Sequence, residues 1–158
     1  MEIEWKPEQT HPLLILDDRD LCIRLQSLEY EYGGNPSIRY QLEVSLAHTY
    51  GSVIYRTSFL SLTLDSLKVF SLELKNSYDD PSQAIVFSDL VQEFVLRIVK
   101  QDRSCQIFLE LKWFGIADVS LTSGSSDRDT MQLWSRRLDE HCKLMDQWMI
   151  ENPPIGPA

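Results

Sequence analysis

From Ile38 to Leu46 the chain alternates without a break: Ile38, Tyr40, Leu42, Val44 and Leu46 are apolar, and Arg39, Gln41, Glu43 and Ser45 are not. A period of two sends every second side chain to the same face of an extended strand. Such a segment has one face to bury and one to leave in water. Gly33-Gly34-Asn35-Pro36 stands just before it. The glycines permit positive φ, and the proline fixes its own φ and has no N–H, so the four residues predict a turn. Upstream, Leu21, Ile23 and Leu25 alternate with Cys22, Arg24 and Gln26, and that strand is expected to run on through Leu28, Tyr30 and Tyr32. A second turn near Tyr50-Gly51 sends the chain back through Val53 to Phe59. Connections this short cannot make a parallel crossover, so the meander is antiparallel.

The period then changes. Leu60, Leu64, Leu67, Ser71 and Leu74 recur every three or four residues, with Phe70 on the same side. This spacing predicts a helix over 64–76, capped by Thr63 or Asp65. An acidic loop, Asn76 to Ser82 with Asp79-Asp80-Pro81, follows. Strand patterns resume at Ala84–Phe87, Phe94–Val99, Ile107–Leu111 and Ile116–Leu121, with a flexible loop expected from Thr122 to Ser126. Earlier, His11–Leu16 is a short apolar run closed by the polar turn Asp17–Asp20. Met131, Trp134, Leu138, His141, Met145 and Trp148 form one helical stripe, and Pro153-Pro154 stops it. Ser126 with Asp129 reads as a capping box at its start.

One-faced strands need something to cover the buried face, and two amphipathic helices can supply it. The expected fold is α+β: an antiparallel sheet of about seven or eight strands, curled or split into two layers, packed by a central helix and a long C-terminal helix. Residues 1–10 read as an irregular lead-in, 11–150 as a single domain, and 151–158 as a loose proline-rich tail. The 158 residues are enough to bury one core without metal or disulfide staples. Cys22, Cys105 and Cys142 are odd in number and far apart, which predicts reduced, buried thiols and a cytoplasmic location. Met1 to Pro7 is acidic and has no apolar core, unlike a secretory leader. No segment approaches the roughly 18 apolar residues that cross a bilayer.

Catalytic patterns are missing from the sequence. His11, His48 and His141 sit in no H-E-x-x-H or H-x-x-x-H spacing, so zinc finds no local ligand pair. Cys22 with His48, or Cys105 with His11, would need a sheet to bring them together before either thiol could be activated. The carboxylate pairs lie in turns or on polar strand faces, where both members stay solvated and cannot divide acid and base roles. Asp17-Asp18-Arg19-Asp20 starts like a calcium loop, but Ile23 fills the seventh place and Leu28 the twelfth, so no calcium site forms. Ser123-Gly124-Ser125-Ser126 precedes a helix without a lysine, and Asp127 and Asp129 compete for the same amides a phosphate would use. No cofactor and no metal are expected.

Charge is the clearest departure from neutrality: 24 acidic against 15 basic residues, a formal net of -9. That balance repels nucleic acid and anionic lipid and favours a basic protein. Tyr30 and Tyr32 alternate with Glu29 and Glu31 just before the glycine turn, and aromatic residues beside acids suit a protein interface. Glu29, Tyr30, Glu31, Tyr32, Asp79 and Asp80 are the candidate partner-binding residues.

Leu62-Thr63-Leu64-Asp65-Ser66-Leu67-Lys68, Ile107-Phe108-Leu109-Glu110-Leu111-Lys112-Trp113 and the closing helix from Thr130 to Ile150 together resemble small bacterial immunity proteins of the WapI type and related domains of unknown function. The resemblance covers residues 20–150 and lies in the layout of elements, so it assigns no binding residue. It implies a non-enzymatic protein that neutralises a cognate toxin by occluding its site. The alternatives are a ligand-binding domain or small enzyme with a site assembled from distant strands, or a structural homodimer. The expected oligomeric state is monomer or homodimer.

Overall fold

A computed structural model of the chain describes residues 11–31, 34–76, 84–100, 104–113, 117–123 and 126–153. The first four strands, β1 (Leu13–Asp18), β2 (Leu21–Glu31), β3 (Ser37–His48) and β4 (Gly51–Thr63), form one sheet in chain order, every pair antiparallel. A helix, α1 (Leu64–Asn76), then leads to β5 (Ile85–Ser88), β6 (Phe94–Lys100), β7 (Ser104–Trp113) and β8 (Ala117–Thr122), which form a second antiparallel sheet, again in chain order. A two-residue strand, β9 (Ser126–Asp127), pairs with the start of β7 and opens directly into α2 (Arg128–Glu151).

The α+β class is as expected, but the single sheet of seven or eight strands becomes two sheets, of four and five strands. The alternation of a strand fixes which face it buries and leaves its neighbours open. Helix α1 interrupts the meander after β4, and β5 begins a new ladder. The loop expected at Thr122–Ser126 is shorter than predicted, because β8 runs to Thr122 and Ser126 pairs with Cys105. Residues 1–10, the acidic loop residues Asp79 and Asp80, and 154–158 lie outside the described residues.

Burial follows the alternation closely. Leu21, Ile23 and Leu25 on β2, Ile38, Tyr40, Leu42 and Val44 on β3, and Ile107, Leu109 and Leu111 on β7 are all buried. They join Leu64, Leu67, Phe70 and Leu74 of α1 and the predicted stripe Met131, Trp134, Leu138, Met145 and Trp148 of α2 in one core. Phe70 stacks on Phe87 with ring centroids 4.5 Å apart, which ties α1 to the second sheet. Leu60, read as the first helical leucine, belongs to β4.

The start of α1 is capped as predicted: Thr63 Oγ1 accepts the Ser66 backbone N–H at 3.2 Å. The start of α2 is a correction. Asp127, not Ser126, is the cap, with its carboxylate accepting the Thr130 N–H at 3.1 Å, because Ser126 and Asp127 are held extended against β7 and the helix can begin only after them. The two helices meet through Ser71 and Ser135. The Ser71 hydroxyl lies 3.0 Å from the Ser135 hydroxyl and donates to Asp139 at 2.6 Å. Lys75 completes the contact with Asp139 at 2.8 Å, and its hydrogen bond holds that carboxyl below the usual range.

Candidate functional site

Leu28 is the extra residue of a β-bulge. Ser27 pairs with Tyr40, but the next pair is Glu29 with Arg39. By absorbing Leu28, the bulge lets Ser27 and Tyr30 share the inner face while Glu29 faces outward. Glu29 makes an ion pair with Arg39 at 3.1 Å. Tyr30, opposite Ile38, turns toward the C-terminal end of α2.

That helix end is built around Tyr30. Its hydroxyl lies 3.0 Å from the Met149 carbonyl and 2.8 Å from that of Asn152, and donates to this pair of acceptors. The last carbonyls of a helix have no intrahelical donor, so a phenol from β2 serves as a cap supplied by tertiary structure. Asn152 closes the same turn: its backbone and side-chain N–H groups reach the Trp148 carbonyl at 2.9 and 3.0 Å. The Tyr30 ring meets Trp148 edge-on at 5.4 Å, and the His11 ring lies tilted 5.4 Å from the same indole.

Two clefts flank this ridge and share Tyr30. One, of about 590 Å³, is lined by His11, Glu29, Glu31, Ser37, Arg39 and Trp148 among others. The other, of about 490 Å³, lies between the starts of β3 and α1 and the last turn of α2, and includes Asp65, Lys68, Asp146, Met149 and Ile150. Ile150 is 81% exposed at its edge.

The clefts are lined by the carboxylates Glu29, Glu31, Asp65 and Asp146, against the cations Arg39 and Lys68, and Glu151 stands in the last turn of α2 between Ile150 and Asn152. The last turn of α2 has no basic residue. A helix C-terminus carries partial negative charge that a lysine or arginine ordinarily offsets. Here the helix end adds to the carboxylates, and the surface becomes a negative rim around an apolar and aromatic centre.

Of the six sequence-predicted residues, the structure brings Glu29, Tyr30 and Glu31 into the larger cleft. Tyr32, Asp79 and Asp80 lie outside the described residues. Sequence reasoning missed Arg39, Trp148 and Asp146 as lining residues of these clefts. The missing basic residue in the last turn of α2 was the legible signal. What joins the helix end to β2 is a bulge and a phenol, which no local pattern encodes.

The titratable groups weighed for chemistry fall apart in space. Cys22 pairs with Ser45, three positions along β3 from His48. Cys105 pairs with Ser126 just before α2, whereas the His11 ring is tilted against Trp148 near its far end, roughly 30 Å away at 1.5 Å rise per residue. His141 is buried within α2's stripe, and its Nε2 lies 2.8 Å from the Tyr40 hydroxyl. Burial pushes the imidazole down to about 4 and the Tyr40 phenol upward, so both are neutral near pH 7. Burial likewise pushes the Cys142 thiol up to about 11, away from the thiolate that nucleophilic chemistry requires. Among the described residues, no three His, Cys, Asp or Glu side chains converge as a metal site, and no helix is long and apolar enough to cross a membrane. No family model matches the chain, nor does any curated protein or solved structure.

Proposed function

We propose that this protein is a small, acidic, non-enzymatic binding domain of immunity type, which neutralises a basic protein partner by covering its site. One observation carries the reading: the negative rim around Tyr30 and Ile150, where carboxylates and a helix C-terminus without a basic residue in its last turn surround an apolar centre. Interfaces have this anatomy, with aromatic anchors at the centre and polar residues at the edge. The net charge of -9 acts in the same direction at longer range. Electrostatic steering raises association rates up to ~10⁸–10⁹ M⁻¹s⁻¹ at low salt. A toxin acting on nucleic acid presents a positive channel, and the rim offers carboxylates in place of phosphates.

The test is co-purification from the native host at low and high salt, with wild type and a Glu29→Lys/Glu31→Lys/Glu151→Lys variant. The reading expects a basic protein retained by wild type at low salt, released as salt rises, and lost by the variant. It also expects the captured protein's toxicity to be suppressed by wild type alone. Retention of an acidic protein, or equal retention by both forms, contradicts it.

A further inference from the structure

The first sheet buries one face and keeps the other polar. Ile38, Tyr40, Leu42 and Val44 of β3 pack with the helices in the core, so Arg39, Gln41 and Glu43 between them point to the opposite face. Strand pairing continues that face sideways. Glu29 of β2 lies opposite Arg39, Gln26 opposite Gln41, and Arg24 opposite Glu43, with Arg56 of β4 beyond. Two clefts open along it. The larger, of about 590 Å³, flanks Tyr30 and holds His11 and Arg39. The second, of about 400 Å³, holds Arg24, Gln26 and Gln41. Arg39 and Gln41 are next but one along β3, roughly 7 Å apart, so the clefts are neighbours.

Hydrogen bonding on this face is incomplete. Among the described residues, five buried side-chain polar atoms have no hydrogen-bond partner, and three of them belong to residues lining these two clefts: His11 Nδ1, Gln26 Oε1 and Arg39 Nε. Gln26 is only 8% exposed. Its Nε2 donates to the His11 carbonyl at 2.7 Å, which fixes the amide and leaves Oε1 an acceptor without a donor. Arg39 gives Nη1 to Glu29 at 3.1 Å, and its Nε–H stays a donor without an acceptor. Buried polar groups are ordinarily paired, and leaving one unpaired costs stability. A ligand seated here therefore has both a donor and an acceptor to satisfy.

Charge narrows the class of ligand. Among the described residues, the two clefts are lined by Arg24, Arg39 and Arg56 against Glu29, Glu31 and Glu43, so the arginines and carboxylates cancel. Two of the pairs close on themselves, Glu29 with Arg39 at 3.1 Å and Glu43 with Arg56 at 2.8 Å. In a chain of net charge -9 this face is balanced, and it favours neither an anion nor a cation. What remains to be matched is hydrogen bonding, and a hydroxyl both donates and accepts. We propose that the outer face of the first sheet binds a neutral oligosaccharide, which lies across the two clefts, donates a hydroxyl hydrogen to Gln26 Oε1 and accepts from Arg39 Nε. Each cleft falls within the range of about 300–1,000 Å³ that ligand sites occupy. The inference does not rest on capture of a basic protein, which draws on charge at the helix end.

The experiment is an NMR titration of the full chain, read at the Arg39 Nε–H and the Gln26 side-chain amide. The probes are cellotriose, maltotriose, mannotriose and triacetylchitotriose, with a capped alanine tripeptide and inorganic phosphate beside them. Expected is a saturable shift of both signals with at least one trisaccharide, indifferent to salt, and none with the peptide or phosphate. Arg39→Lys keeps the charge opposite Glu29 but removes the Nε–H, and should weaken that binding roughly tenfold, the loss of one hydrogen bond. His11→Phe keeps a ring beside Trp148, loses Nδ1 and should weaken it as well. Capture of a basic protein falls as salt rises and sugar binding does not, so the two readings fail separately. No shift with any trisaccharide overturns the proposal. So does binding that both variants leave unchanged, or a site that takes the peptide or phosphate instead.

Discussion

Tyr30 does two jobs with one side chain: its ring packs on Trp148, and its hydroxyl caps carbonyls at the end of α2. Tyr30→Phe keeps the ring and removes the cap. We expect a loss of about 1 kcal/mol, read from urea unfolding, with faster amide exchange confined to the last turn of the helix. An unchanged exchange rate there would show that the hydroxyl caps nothing. His141 makes a second prediction. Its folded value of about 4 lies below the ordinary 6.5 because the ring is buried, so the unfolded chain binds the proton more readily. Stability from this group is complete above about pH 6.5 and is lost as pH falls toward 4, by an amount on the order of 2–3 kcal/mol. Urea midpoints from pH 7.5 to 4.5 should fall more steeply for wild type than for His141→Gln. Parallel curves would contradict the buried-imidazole account. The sequence shows His141 on the apolar stripe of a helix, which makes it a core residue. Its partner Tyr40 is far away in the chain and is visible only in the fold.

Helix α1 was legible to the residue, 64–76, because three-and-four spacing and a threonine cap are local signals. The strands were legible in place but not in extent. Asp17 and Asp18, read as a turn, are the last residues of β1, because a tight hairpin closes at Arg19–Asp20 with Arg19 at positive φ. Both bulges, at Leu28 on β2 and at Ser58–Phe59 opposite Gln41, arise from pairing and have no signature within their own strand. In α2 the last turn sets function against stability. Glu151 ends a helix whose dipole favours a cation. Glu151→Lys should stabilise the fold by about 0.5 kcal/mol while weakening partner capture. A substitution that neither stabilises the helix nor weakens capture would remove the helix end from the account.

Across the molecule, the core and the acidic balance could be read from composition and periodicity, whereas the division into two sheets could not. Local pattern says that a strand is half-buried, and only long-range pairing says beside what. The acidic rim illustrates the same limit. Glu29–Tyr30–Glu31 was visible as an acidic-aromatic segment, but Asp146 and Trp148 reach it from the far end of the chain. The decisive measurement is the association rate with the captured basic protein as a function of ionic strength, for wild type and Glu29→Lys/Glu31→Lys/Glu151→Lys. We expect the wild-type rate to drop steeply as salt rises, and the variant to start at least tenfold lower with a shallower slope. A rate indifferent to both salt and charge reversal would mean that the acidic rim is not where this protein meets its partner.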